Sequence, residues 1–145
     1  MKLPIQASLL AALTFSLVCL SGCGDGKPKR YKVTGTVTFD GKPIEKGEIL
    51  ISPVDGRGRP DAGRIINGSY EFKVTDGEKR VEITASSTDP ELVGELPKVE
   101  GMAPGINIPR EYIPERYNES SELRVTIEPN NSNEYSFDLE PDEGV

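Results

Sequence analysis

From Lys32 to Leu139 the chain is dominated by apolar residues spaced two apart. Val33, Gly35, Val37 and Phe39 alternate with Thr34, Thr36 and Thr38. Ile49 and Ile51 alternate with Glu48 and Leu50, and Tyr70, Phe72 and Val74 with Ser69, Glu71 and Lys73. Further on, Val81, Ile83 and Ala85, then Leu123, Val125 and Ile127, then Tyr135, Phe137 and Leu139 repeat the pattern. A period of two places successive side chains on opposite faces of an extended backbone, so each run predicts a strand with one buried face. A shorter piece, Gly63 to Ile66, predicts a hairpin with the strand after it, because Asn67-Gly68 supplies the two positive-φ positions of a type I′ turn. Asp40-Gly41, Glu45-Lys46-Gly47, Asp76-Gly77 and Pro129-Asn130-Asn131 mark further turns. Gly35 has nothing to pack from within its strand, which points to a bulge or to another backbone lying against it. No stretch shows helical spacing with caps. Seven amphipathic strands must bury their faces against one another, so the expected fold is all-β: one seven-stranded antiparallel β-sandwich.

One segment departs from this pattern. Thr88 to Arg116 has no sustained alternation and holds Pro90, Pro97, Pro104, Pro109 and Pro114. Loops of such length are often functional or disordered. Gly94 to Gly105 is expected to be its flexible middle, while the large residues between Ile108 and Tyr117 are expected to dock on the sandwich.

The amino-terminal stretch follows different rules. A lone Lys2 precedes the apolar run Leu9 to Leu20, which is too short for a finished membrane span of about 20 residues. A positive start, an apolar centre and a small-residue exit describe an export signal. The exit, Leu20-Ser21-Gly22-Cys23, resembles the lipobox of bacterial lipoproteins. The resemblance implies a diacylglyceryl thioether on Cys23, cleavage after Gly22 and acylation of the new amino terminus. Cys19 and Cys23 are the only cysteines and the chain has no histidine, which disfavours a zinc site of four Cys and His ligands. The expected organisation is a signal over residues 1–22, a flexible tether over 23–30, one domain over 31–140 and an acidic tail over 141–145. About 120 residues remain after cleavage, a length suited to a single domain.

The strand string also resembles a known family. Val33-Thr34-Gly35-Thr36-Val37-Thr38-Phe39-Asp40-Gly41-Lys42-Pro43-Ile44 is similar to the opening of carboxypeptidase-regulatory-like domains, and Asn67-Gly68-Ser69-Tyr70-Glu71-Phe72 to their G-x-Y-x-F strand. Tyr112-Ile113-Pro114-Glu115-Arg116-Tyr117-Asn118 resembles a segment of small envelope lipoproteins that carry this domain. The resemblance implies a transthyretin-like, prealbumin-type sandwich acting as an accessory or binding module, with no catalytic residues to carry over.

Charge narrows the partners. The net charge is −7, with 24 acidic against 17 basic side chains, and nucleic-acid binding calls for basic stripes that displace counterions. Lys27, Lys29, Arg30 and Lys32 cluster behind Cys23, where anionic lipid would attract them. Without histidine there is no imidazole acid–base chemistry and no Ser-His-Asp triad. In Asp55-Gly56-Arg57-Gly58-Arg59-Pro60-Asp61, two arginines among glycines can present guanidinium forks to a carboxylate or phosphate; the plain alternative is a solvated hairpin loop. Asp55 and Asp61 lack the dense oxygen spacing of a calcium loop.

Strands are accounted for by packing, so recognition is expected in the loops. Arg57, Arg59 and Arg110 are the candidate binding residues, able to engage an anion bidentately. The expected function is a lipid-anchored, non-catalytic binding or structural module of the cell envelope, with no cofactor and no metal. Its expected partners are the membrane, through the anchor, and an envelope protein or polysaccharide. A carbohydrate-binding accessory domain is the alternative. It is weakened by the absence of tryptophan and by only 5 Tyr and 4 Phe, and an exposed planar tyrosine pair would favour it.

Overall fold

A computed structural model describes residues 26–94 and 108–142. They form an all-β fold whose main body is one curled sheet. β1 (Arg30–Phe39) turns through β2 (Lys42–Pro43) into β3 (Lys46–Pro53), which is followed by β4 (Asp61–Ile66), β5 (Ser69–Thr75) and β6 (Gly77–Thr84). β7 (Ser86–Ser87), the one-turn helix α1 (Pro90–Val93) and β8 (Arg110–Glu111) come next, then a 3-10 turn (Glu115–Tyr117), β9 (Arg124–Ile127), β10 (Asn133–Glu134) and β11 (Phe137–Leu139). Hydrogen bonding orders the sheet β10-β1-β5-β4-β3-β6-β9, while β2 and β11 pair with the far end of β1. No helix among the described residues is long and apolar enough to cross a membrane.

The curl follows from chain length. In a flat sheet, six strand spacings would set β10 about 29 Å from β9. Yet β9 ends at Ile127 and β10 begins at Asn133, and six extended residues reach only about 20 Å. The sheet therefore bends until its two ends meet, and the Tyr135 hydroxyl closes the gap by donating to the Thr126 carbonyl. Asn133 secures the turn: its Oδ1 accepts from the Glu128 N–H at 2.9 Å and its Nδ2 donates to the Glu128 carbonyl at 3.0 Å.

The inward face carries the core. Val33, Val37, Ile49, Ile51, Ile65, Val74, Val81, Ile83, Ile127 and Leu139 are all essentially inaccessible. Apart from Ile65, in the short piece from Gly63 to Ile66, these are the residues picked out by the period of two, and each full burial of such a side chain contributes about 1.5–3 kcal/mol. The Asn67-Gly68 hairpin also forms as the sequence implies, with φ of 49° and 74°.

Three features differ from the sequence reading. First, the sheet is not wholly antiparallel. β10 and β11 run parallel to β1, with Val33 opposite Asn133 and Val37 opposite Phe137. Second, the run Tyr135 to Leu139 is not one strand. It is interrupted at Tyr135-Ser136, because the Tyr135 carbonyl turns to accept the Tyr70 hydroxyl at 2.7 Å. Third, part of the proline-rich segment is structured. Asp89 caps α1, its carboxylate accepting from the Glu91 N–H, and β8 pairs with β7. Ile113 is buried and Tyr112 packs edge-on against Phe39, with ring centroids 5.3 Å apart, so the end of the segment docks as its large residues suggest. The expected flexible middle falls almost entirely outside the described residues.

Candidate functional site

A cavity of about 1000 Å³ opens at the end of the sheet where β1 begins and β3 ends. Its walls are the tether residues Lys27 and Pro28, the Asp55–Asp61 loop with Pro53 and Val54, and the β5–β6 turn from Thr75 to Lys79. Arg57 and Arg59 lie on its exposed rim. Among the described residues neither guanidinium has a carboxylate partner; the structure at Arg57 is an Asx turn, its backbone N–H donating to Asp55 Oδ1 at 2.9 Å.

Two charged groups are buried at this end, and both lie on the inward face. Lys79, 3% exposed, is in step with Val81 and Ile83 on β6 and is flanked by Pro53 of β3 and Val125 of β9. Its ammonium donates one hydrogen bond, to Thr75 Oγ1 at 2.8 Å, of the three it can make. Asp61, 6% exposed, is in step with Ile65 on β4. Its carboxylate accepts from the Thr75 N–H at 3.0 Å and pairs with Arg30. Thr75 thus links an anion already closed by arginine to a cation that has no ion pair among the described residues. Burial lowers the Lys79 pKa from the ordinary 10.5, with the Asp76 and Asp55 carboxylates opposing that shift.

A buried, unpaired ammonium costs stability, so Lys79→Met should be neutral to about 1 kcal/mol more stable in urea denaturation. The pH dependence has a definite sign. An unfolded chain holds the Lys79 proton up to 10.5, whereas the folded chain releases it at lower pH. In that window the unfolded state binds more protons, and the Lys79 contribution makes stability climb as pH rises. Tyr70 and Tyr112, whose phenols are held above 10.0 chiefly by burial, act oppositely at higher pH. The difference between wild type and Lys79→Met cancels the tyrosines and should shrink as pH rises toward 10.5. A difference that does not vary with pH would refute the buried-cation assignment.

Arg110 does not belong to this site. It pairs in β8 opposite Ser87, beyond the Thr84 end of β6, whereas Arg57 and Arg59 stand beside the Gly77 end. An eight-residue strand, about 25 Å long, separates them. The three candidate arginines therefore do not converge on one ligand. Lys79 and Asp61 take the interior positions that sequence reasoning missed. The signal was present for Lys79, two residues before Val81 in its inward row; for Asp61 it was weaker, since Gly63 separates it from Ile65. Asp55 and Asp61 are engaged by the Arg57 N–H and by Arg30 with the Thr75 N–H, and no group of three metal-ligating side chains occurs among the described residues. Cys23, Cys19 and the signal lie outside the described residues.

No family model and no curated protein matches the chain. Among solved structures, a DUF3823 family protein from Parabacteroides merdae aligns at 14% identity with a TM-score of 0.37, over 79% of this chain and 47% of that one. A 9R-lipoxygenase from Cyanothece PCC8801 aligns at 18% identity with a TM-score of 0.32, over 79% of this chain and 17% of that one. The chain thus spans about half the length of the first and a small part of the second.

Proposed function

We propose that the chain is a lipid-anchored, non-catalytic binding module of the cell envelope: a seven-stranded, transthyretin-like β-sandwich tethered through Cys23. The observation that carries this reading is the cavity at the tether end of the sheet, where Arg57, Arg59 and the buried Lys79 offer hydrogen-bond donors beyond those taken up among the described residues. Such a set binds an anion through positive charge and hydrogen-bond donors. The lipobox-like Leu20-Ser21-Gly22-Cys23 supports export and anchoring. The carbohydrate alternative finds less support, since none of the five tyrosines is exposed: Tyr70 is buried, Tyr112 packs on Phe39, and Arg116 stacks on Tyr117 with its guanidinium carbon 4.7 Å from the ring centre. Mass spectrometry of the wild-type protein should find an acylated amino terminus at Cys23, and Cys23→Ala should accumulate as unprocessed, unacylated precursor. A mature amino terminus elsewhere, with a free thiol at Cys23, would refute the anchor.

A further inference from the structure

We propose that the cavity beside the Asp55–Asp61 loop receives the phosphate of a membrane phospholipid headgroup, so that the domain docks end-on against the bilayer that holds its anchor. The proposal rests on the anchored reading above and adds to it an orientation and a ligand.

Reach is the first argument. Lys27, on the cavity wall, follows Cys23 by four residues, which span at most about 14 Å when fully extended. A thioether-linked diacylglyceryl group places Cys23 at headgroup level, so this wall stays within one short tether of the phosphates. The other end of the molecule does not. Phe39 lies a full ten-residue strand beyond Arg30, about 30 Å away.

Charge is the second. The chain as a whole is acidic at −7, yet five cations line this cavity against four carboxylates. Asp61 is closed by Arg30 and Thr75, and Asp55 accepts the Arg57 N–H. Arg57, Arg59 and Lys79 remain to engage an anion, and Asp76 and Glu78 beside them disfavour a polyanion. A singly charged phosphodiester suits that balance better than a polyphosphate. Apolar surface is the third argument: Val54, 46% exposed, stands with Pro53 and Pro60 around the arginines and suits the glycerol and upper acyl region behind a headgroup phosphate.

The test uses full-length, processed protein in nanodiscs of brominated phosphatidylglycerol. A fluorophore is attached either at Val54→Cys, on the rim, or at Leu92→Cys, an exposed residue of α1 at the far end. Acylated Cys23 offers no competing thiol. Bromine should quench the Val54 label and spare the Leu92 label. Arg57→Ala with Arg59→Ala, both in an exposed loop, should keep the melting temperature and lose that contrast. Equal quenching at the two positions in acylated wild type, or a contrast that survives the double substitution, overturns headgroup docking and leaves the anchor standing. An unacylated Cys23 would remove the anchor and the proposal together. Amide shifts at Arg57 and Lys79 on adding sn-glycerol 3-phosphate in maltoside micelles, with no Val54 contrast in nanodiscs, would assign the cavity to a soluble phosphate ester and likewise overturn docking.

Discussion

Ile83→Asp should leave the domain unfolded in buffer at neutral pH, while Thr36→Asp should move the urea midpoint only slightly. Ile83 is wholly inaccessible near the end of β6, opposite Ile49 of β3. Truncating such a residue removes about 2–5 kcal/mol through lost burial and the cavity left behind. Putting a carboxylate there adds several kcal/mol more, since Ile83 sits within the cluster of buried hydrophobic side chains. Against a total stability of about 5–15 kcal/mol, that sum removes most or all of the margin. Thr36 is exposed on the other face of β1 and makes one hydrogen bond, to Ser136 Oγ at 2.9 Å. Losing it costs about 1 kcal/mol or less. Far-UV circular dichroism during urea titration reads both variants, and equal losses would overturn the assignment of faces.

Gly35→Ala is the second large effect, and it should detach the carboxy-terminal strands from β1. A Cβ at Gly35 would stand 1.7 Å from the Tyr135 carbonyl oxygen and 2.8 Å from the Tyr70 hydroxyl. Neither is a flexible chain end. The Tyr135 backbone is held by its own N–H, which donates to the Thr34 carbonyl at 2.9 Å, and its carbonyl accepts from Tyr70. One methyl group therefore forces out the backbone that joins β10 to β11 and orphans a buried phenol. Overpacking costs about 1–3 kcal/mol, and a buried donor without a partner costs a similar amount. We expect a loss of about 3–5 kcal/mol and, in amide exchange, faster opening of Asn133 to Leu139 than of β3 and β6. Adding Tyr70→Phe should recover only the phenol's share, because the carbonyl collision remains. A Gly35→Ala protein with wild-type stability would show that the crossing is not tight.

How much of this could be read from the residues alone varies from element to element. Val33, Val37, Ile49, Val81 and Ile83 announced their burial by alternation, since in a strand the facing direction is a local property of the chain. Asn67-Gly68 announced its hairpin for the same reason: the backbone conformation it needs is available to those two residues and unfavourable for most others. Gly35 announced a close approach, but not what approaches. The partner, Tyr135, is 100 residues away, and pairing over that distance depends on the global path of the chain. The same holds for the parallel direction of β10 and β11, which hairpin rules applied to neighbouring strands do not reach.

The cavity shows the division most clearly. Arg57 and Arg59 stood out because two cations among glycines are conspicuous in any sequence, whereas Lys79 was hidden inside the charged run Glu78-Lys79-Arg80, although its step of two from Val81 turned it inward. Arg110 looked equivalent to Arg57 and Arg59 because residue type carries no position. By itself, then, the sequence determined which faces are buried, where the chain turns and which side chains are able to hold an anion, all of them consequences of local geometry and side-chain chemistry. Only the tertiary structure decided that the sheet curls end to end, that Lys79 and not Arg110 joins the two loop arginines, and that this group gathers at the tether. Those outcomes depend on strand pairings far apart in the chain, whose energies no short stretch of residues contains.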